Sequence, residues 1–189
     1  MSSSVSTDPP VAPARRPGRR RLVSLAIGLL LAGGLWLVLT SFTAAPQQKA
    51  HPFSLPRLGA GPRVRVPLVG EGAHDPVVVT FFASWCGPCH TELPTVAKVA
   101  RQAQAAGDKV RFIGVDDNDA AASGLAFARK SGVEFPVGRD SFSQVAPTFE
   151  VPGNPATVFI DGHGNITKTV LGSIKQSTLL AEIAKIDRT

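Results

Sequence analysis

The chain of 189 residues has one methionine, Met1, and only two cysteines, Cys86 and Cys89. No cysteine stands behind the apolar run at 22–42, which excludes a lipid anchor on a cysteine there. Internal repeats are absent. Positive charge is also scarce where a binding surface would need it: the net +6 falls to +1 from Ala50 onward, where 14 Lys and Arg face 13 Asp and Glu. No basic stripe with interleaved aromatics remains, so a nucleic-acid partner is not expected. Metal-ligand spacing is missing too, because His51, His74 and His163 stand alone in Pro/Gly-rich loops or a turn. Asp116, Asp117 and Asp119 form an acidic loop, but without the glycine and distal glutamate of a calcium-binding EF-hand. No metal is expected, and no cofactor beyond the Cys86–Cys89 pair itself.

The charge excess lies ahead of the apolar run, in Arg15, Arg16, Arg19, Arg20 and Arg21. Residues 22–42 then carry no charged side chain. At about 1.5 Å per residue such a run spans roughly 30 Å, the hydrocarbon thickness of a bilayer, whereas a cleaved signal has an apolar core of only about 7–15 residues. The reading is a basic cytoplasmic tail at 1–21, a retained transmembrane signal-anchor at 22–42, a polar linker at 43–50 and a domain at 51–189. Arginines stay on the cytoplasmic side, so the domain faces outward: a single-pass protein of the cell membrane with its domain extracytoplasmic. Thr43-Ala44-Ala45 supplies the alternative, a processed signal.

Cys86-Gly87-Pro88-Cys89-His90 is both a CxxC redox pair and a CxxCH haem tether. Haem iron held by His90 usually takes a second axial ligand, often Met or His, and the only methionine lies beyond the apolar run. A structural disulfide is the third reading. A bridge over two intervening residues closes a tiny loop and restrains the unfolded chain little. The redox pair is the reading that uses this spacing.

Residues 76–83 (PVVVTFFA) predict a strand buried on both faces, with the CxxC pair directly behind it. A helix is predicted over 91–107, bent at Pro94 and stopped by Gly107. A strand over 109–116 follows, then a helix over 119–132 with Asn118 or Asp119 near its start. Segments 156–160 and 166–172 flank a turn and predict an antiparallel hairpin, and 177–186 predicts an amphipathic helix. Within 51–75, Arg63-Val64-Arg65-Val66 suggests an edge hairpin. Two βα units joined to a ββα unit make an α/β protein of thioredoxin fold, a central mixed sheet with helices on both sides.

A cysteine at a strand-to-helix junction meets the positive end of the helix dipole, which favours its thiolate. Cys86 occupies that spot and reads as the nucleophile. Cys89, one turn into the helix, reads as the shielded resolving thiol. Gly87 and Pro88 suit the first turn, where a missing N–H costs nothing. Trp85 reads either as packing on this helix or as substrate contact, and His90 as an exposed neighbour whose protonated form favours thiolates.

The stretch VVVTFFASWCGPCHTELP, followed by VDD, FPVGRD, VPGNPATVFID and a final GNI…LG strand, resembles the TlpA/ResA-like branch of the thioredoxin family, which includes the cytochrome c maturation reductants. The resemblance covers roughly residues 51–187. It implies an anchored thiol-disulfide oxidoreductase that reduces disulfides in partner proteins, apocytochrome c among them, fed by a membrane electron donor such as a thiol-reducing transmembrane protein. It also implies that Pro155 is a cis-proline beside the Cys86–Cys89 pair, where a substrate strand pairs, and that Glu92 is a buried carboxyl accepting the proton of Cys89. Trp85, Gly87, Pro88, Asn154 and Pro155 then form the expected substrate-binding surface. Asn154 departs from the small or β-branched residue usual there, and Thr80 stands where ordinary thioredoxin has a buried aspartate. Alternative readings are a disulfide-forming oxidant and a catalytically idle thioredoxin-like binding module.

Overall fold

The computed structural model describes residues 48–66 and 75–188. The expected tail, the anchor, residues 43–47 and His74 lie outside them. In chain order the elements are β1 (Phe53–Leu55), β2 (Val64–Val66), β3 (Val77–Phe82), α1 (Cys89–Ala106), β4 (Arg111–Asp117), α2 (Ala121–Lys130), β5 (Val137–Asp140), a 3-10 turn (Ala146–Phe149), β6 (Ala156–Ile160), β7 (Ile166–Leu171) and α3 (Gln176–Ile186). Every residue of β3 is buried, as a β-branched and aromatic run requires, and it becomes the middle of a five-stranded sheet ordered β5-β4-β3-β6-β7. The pairs β3–β4 and β4–β5 are parallel, whereas β6 runs antiparallel to β3 and β7 antiparallel to β6. The mixed sheet expected from two βα units and a ββα unit is thus the one found. β1 and β2 pair as the expected edge hairpin.

The helices, however, do not lie on both sides. Val78 packs with Val96 and Val99 of α1 and with Leu179 and Ile183 of α3. Phe82 packs with Leu93 of α1 and Phe127 of α2. Side chains alternate along a strand, so Val78 and Phe82 share one face, and all three helices cover it. The other face, through Val79 and Phe81, is closed by Leu55, Val64 and Val66 of the hairpin and by Ala146 and Phe149 of the 3-10 turn. The cause is topological. The path β3, β4, β5 steps in one direction across the sheet, and two right-handed crossovers stepping the same way bring both helices to one side.

Gly107 ends α1 in the left-handed conformation at φ 78°, as a terminator should, and the helix continues through Pro94. The second helix is shorter than expected, with Ala120 and not Asp119 at its N-cap. Residues 48–50, expected at the end of the linker, are tied to the domain instead. Ile166 N–H donates to Gln48 O at 2.8 Å and Ala50 N–H to Gly164 O at 2.9 Å. Asp161 holds that turn by accepting the His163 and Asn165 N–H groups at 2.9 and 2.8 Å. Among the described residues no helix is long and apolar enough to cross a membrane.

Candidate redox site

Between β3 and α1 the chain makes tight bonds: Cys86 N–H donates to Ala83 O at 3.2 Å, Cys89 N–H to Cys86 O at 3.1 Å, and His90 N–H to Gly87 O at 3.2 Å. They wind the backbone into the helix and leave Cys86 just ahead of its first turn. Pro88 is the N-cap, and Cys89 is the first helical residue, not one turn in. The two cysteines are joined as a disulfide with Cα atoms 5.3 Å apart. Cys86 is 4 % exposed and Cys89 1 %. The expected contrast between an open and a hidden sulfur is therefore slight in this oxidised form, because both belong to the apolar cluster of Phe82, Leu93 and Phe127.

The rim is open. Gly87 and Pro88 are exposed. Trp85 is 61 % exposed, so of its two readings the geometry favours surface contact over packing. Its indole Nε1–H donates to Asn118 O at 3.0 Å, which fixes one edge and leaves most of the ring to solvent.

Ser84 is held on three sides. Its N–H and hydroxyl both donate to the Asp119 carboxylate, the hydroxyl at 3.0 Å, and its carbonyl accepts from His90 Nε2 at 3.0 Å. The His90 ring also stacks 4.5 Å from Phe127. Asp119 further accepts Ala120 N–H at 2.7 Å. Sequence reading assigns Asp119 to a helix start and misses this clamp. The available signal is three aspartates at the carboxyl end of a parallel strand, where sites gather in α/β sheets.

The Asn154–Pro155 peptide is cis, as the resemblance implies. Pairing of Ala156 with Phe81 sets Pro155 beside the carboxyl end of β3, next to the turn that carries Cys86. Asn154 Nδ2–H donates to Asp117 Oδ2 at 3.0 Å. The departure at Asn154 thus has a physical role: its amide ties the cis-proline loop to the end of β4, which an aliphatic side chain cannot do.

Glu92 is 4 % exposed, the buried and not the solvated reading. Oε2 accepts Ile174 N–H at 2.9 Å and Oε1 the Thr157 hydroxyl at 3.3 Å. Burial raises its pKa above the usual carboxylate value, against the lowering effect of the Ile174, Thr157 and Ser173 donors. Standing three residues after Cys89, it lies on the same side of α1. Thr80 is buried opposite Thr157 and brings a hydroxyl where a carboxyl was the alternative.

Asp116, read from the sequence as part of an acidic loop, is instead a second buried acid, near the end of strand β4. It is fully buried, and neither carboxyl oxygen has a hydrogen-bond partner. Burial first, then the charge of Asp119, push its pKa up to about 7 against the pull of Arg139. It sits so close to α2 that a Cβ at Gly124 would collide with its carboxyl. Among the described residues no group of three His, Cys, Asp or Glu side chains is placed to hold a metal.

A mixed sheet whose middle strand delivers a CxxC disulfide to a helix start, with a cis-proline on the neighbouring strand, defines the thioredoxin-like class. The AhpC/TSA family matches residues 46–169. The chain belongs to that family, among its TlpA/ResA-like thioredoxins. Thiol-disulfide oxidoreductase ResA of Bacillus subtilis (strain 168) is 30% identical over 112 residues, which cover 59% of this chain and 59% of that protein. Thiol:disulfide interchange protein HelX of Rhodobacter capsulatus is 26% identical over 163 residues, covering 78% of this chain and 89% of that protein. The solved structure of MTB dsbF, in its mixed oxidized and reduced forms, has a TM-score of 0.61 at 29% identity and covers 71% of this chain and 94% of its own. The chain spans 59% to 65% of the length of the ResA proteins it matches first.

Proposed function

We propose that this chain is a membrane-anchored, extracytoplasmic thiol-disulfide oxidoreductase that reduces disulfides in partner proteins. The observation that carries the reading is the Cys86–Cys89 disulfide at a helix start beside the cis Asn154–Pro155 bond. In the reduced enzyme the Cys86 thiolate attacks one sulfur of a partner disulfide. That bond breaks, a Cys86–partner bond forms, and the released partner sulfur takes a proton. Cys89 then loses its proton, with Glu92 as acceptor, and attacks the Cys86 sulfur. The Cys86–Cys89 bond closes, the second partner thiol leaves, and two electrons have passed to the partner. A membrane thiol donor restores the dithiol, and apocytochrome c, whose own CxxCH needs reduction, is the partner class that the TlpA/ResA-like resemblance implies. The Gly-Pro dipeptide suits a potential nearer thioredoxin's roughly −270 mV than a strong oxidant's roughly −120 mV.

The test has two arms. Reduced enzyme should speed insulin-disulfide reduction; no activity with both thiols free would make the chain a binding module. Cys89→Ser should trap covalent partners that Cys86→Ser does not, and equal trapping would overturn the assigned roles. A measured potential above about −150 mV would reverse the direction to oxidant.

A further inference from the structure

On the sheet face away from the helices, the 3-10 turn and the loop before the cis-proline border an open pocket of about 450 Å³ that none of the chemistry above uses. Ala146, Pro147, Val151 and Pro152 make its apolar wall, and Asp117 and Glu150 are its charged residues; among the described residues no Lys or Arg lines it. Gly153, also in its lining, directly precedes the Asn154–Pro155 bond, so the pocket opens beside the strand on which a partner polypeptide would lie. Asp117 is 6 % exposed. One of its oxygens holds Asn154, while Oδ1 is buried with no hydrogen-bond partner. Asp140, its neighbour across β4–β5, is saturated differently, by the Gln144 and Val145 N–H groups at 3.0 and 2.7 Å, and offers Asp117 nothing. A buried carboxylate oxygen left unmatched is costly unless a donor arrives. Glu150 adds a second carboxylate from a residue at φ 54°, a backbone state that side chains other than Gly, Asn and Asp rarely occupy.

We infer that this pocket is a specificity subsite for a lysine or arginine side chain of the partner, close in sequence to the cysteine under attack. The alkyl stem would lie along Pro147, Val151 and Pro152, which long basic side chains do readily, and the cationic head would donate to Asp117 Oδ1 and Glu150. An aliphatic occupant would leave the Asp117 oxygen unmatched, and an acidic one would meet two carboxylates. The inference rests on the reading of Cys86 as the attacking thiolate, and the experiment separates the two.

The probes are synthetic peptides with one cysteine activated as a mixed disulfide with thionitrobenzoate, identical except for Lys, Ala or Glu near the cysteine on either side. Release of thionitrobenzoate on mixing with the reduced full chain in detergent gives the rate, normalised to each peptide's rate with dithiothreitol. The Lys peptide should react about 10-fold faster than Ala, the Glu peptide more slowly, and the preference should shrink at high salt. Glu150→Gln should lower the Lys-to-Ala ratio. Glu150→Lys should turn the preference toward Glu, a gain that misfolding cannot imitate, since the ratio is internal to each variant. Equal rates for the three peptides on the wild type, or an unmoved ratio in both variants, overturn the subsite and leave the redox reading standing. If no peptide reacts faster than with free Cys86-less enzyme, both fall.

Discussion

Asp116 gives the sharpest quantitative test, because it is fully buried beside the Asp119 carboxyl, makes no well-formed hydrogen bond among the described residues, and is pushed from 3.8 up to about 7. The folded chain therefore holds this proton more tightly than the unfolded chain. The resulting stabilisation is complete below about pH 3.8 and is lost as pH rises through about 7. At about 1.36 kcal/mol per pH unit of separation, the full loss is on the order of 4 kcal/mol, of which about 2.5 kcal/mol falls between pH 5 and pH 8. Asp116→Asn keeps the shape and removes the titration. Its amide brings donors into a site where the strongest charge effect is that of Asp119, so at pH 5 the variant should be no more than about 1 kcal/mol below wild type. At pH 8 it should be the more stable of the two by about 2 kcal/mol. Urea unfolding of the oxidised chain at both pH values measures this directly. Parallel pH profiles for the two proteins would show that the carboxyl is either solvated or paired, and the reasoning would be wrong.

Two further outcomes follow from neighbouring contacts. Gly→Ala inside a helix normally gains about 1 kcal/mol, but Gly124→Ala should lower the thermal midpoint, because its methyl runs into the Asp116 carboxyl; adding Asp116→Ala should restore it, and a Gly124→Ala protein that melts higher than wild type contradicts the contact. Glu92→Gln should slow resolution of the Cys86–partner disulfide by about 100-fold, and should remove from that step a pH inflection lying above the ordinary carboxylate range, the direction burial gives Glu92; single-turnover kinetics with an unchanged resolution rate would reduce Glu92 to a structural link between Ile174 and Thr157.

The element order was legible because the period of apolar residues changes from two to 3.6 along the chain, and each change is marked by Gly or Pro. The Cys86–Cys89 pairing was legible because these are the chain's two cysteines and their CxxC spacing lets them meet across a helix start. The side of the sheet taken by α2 was not: periodicity says which face of a helix is apolar, not which face of the sheet it reaches, and that follows only from strand order and crossover hand. The boundary failed at residues 48–50 for a similar reason. A polar segment looks like a linker until its backbone finds a partner, here the 161–165 turn, far along the chain. The site's polar clamps escaped because they join residues 35 and 37 positions apart, Ser84 with Asp119 and Asp117 with Asn154. Nothing local marks either pair.

Those two clamps spring from one short loop, and that decides what the acidic run is for. Asp116 turns into the core under α2, Asp117 reaches the cis-proline side, and Asp119 reaches the turn that carries Cys86. Between the last two, Asn118 takes φ 49° and offers its carbonyl to Trp85. A single segment of β4 and its exit loop thus sets the spacing between the turn that carries Cys86 and the cis-proline loop on which, in the proposed function, a partner strand would lie. Neither clamp includes a sulfur, so opening the Cys86–Cys89 bond removes no atom from either. Positioning that does not depend on redox state is what repeated two-electron exchange requires, since geometry rebuilt in each cycle would add its own ordering cost to every turnover.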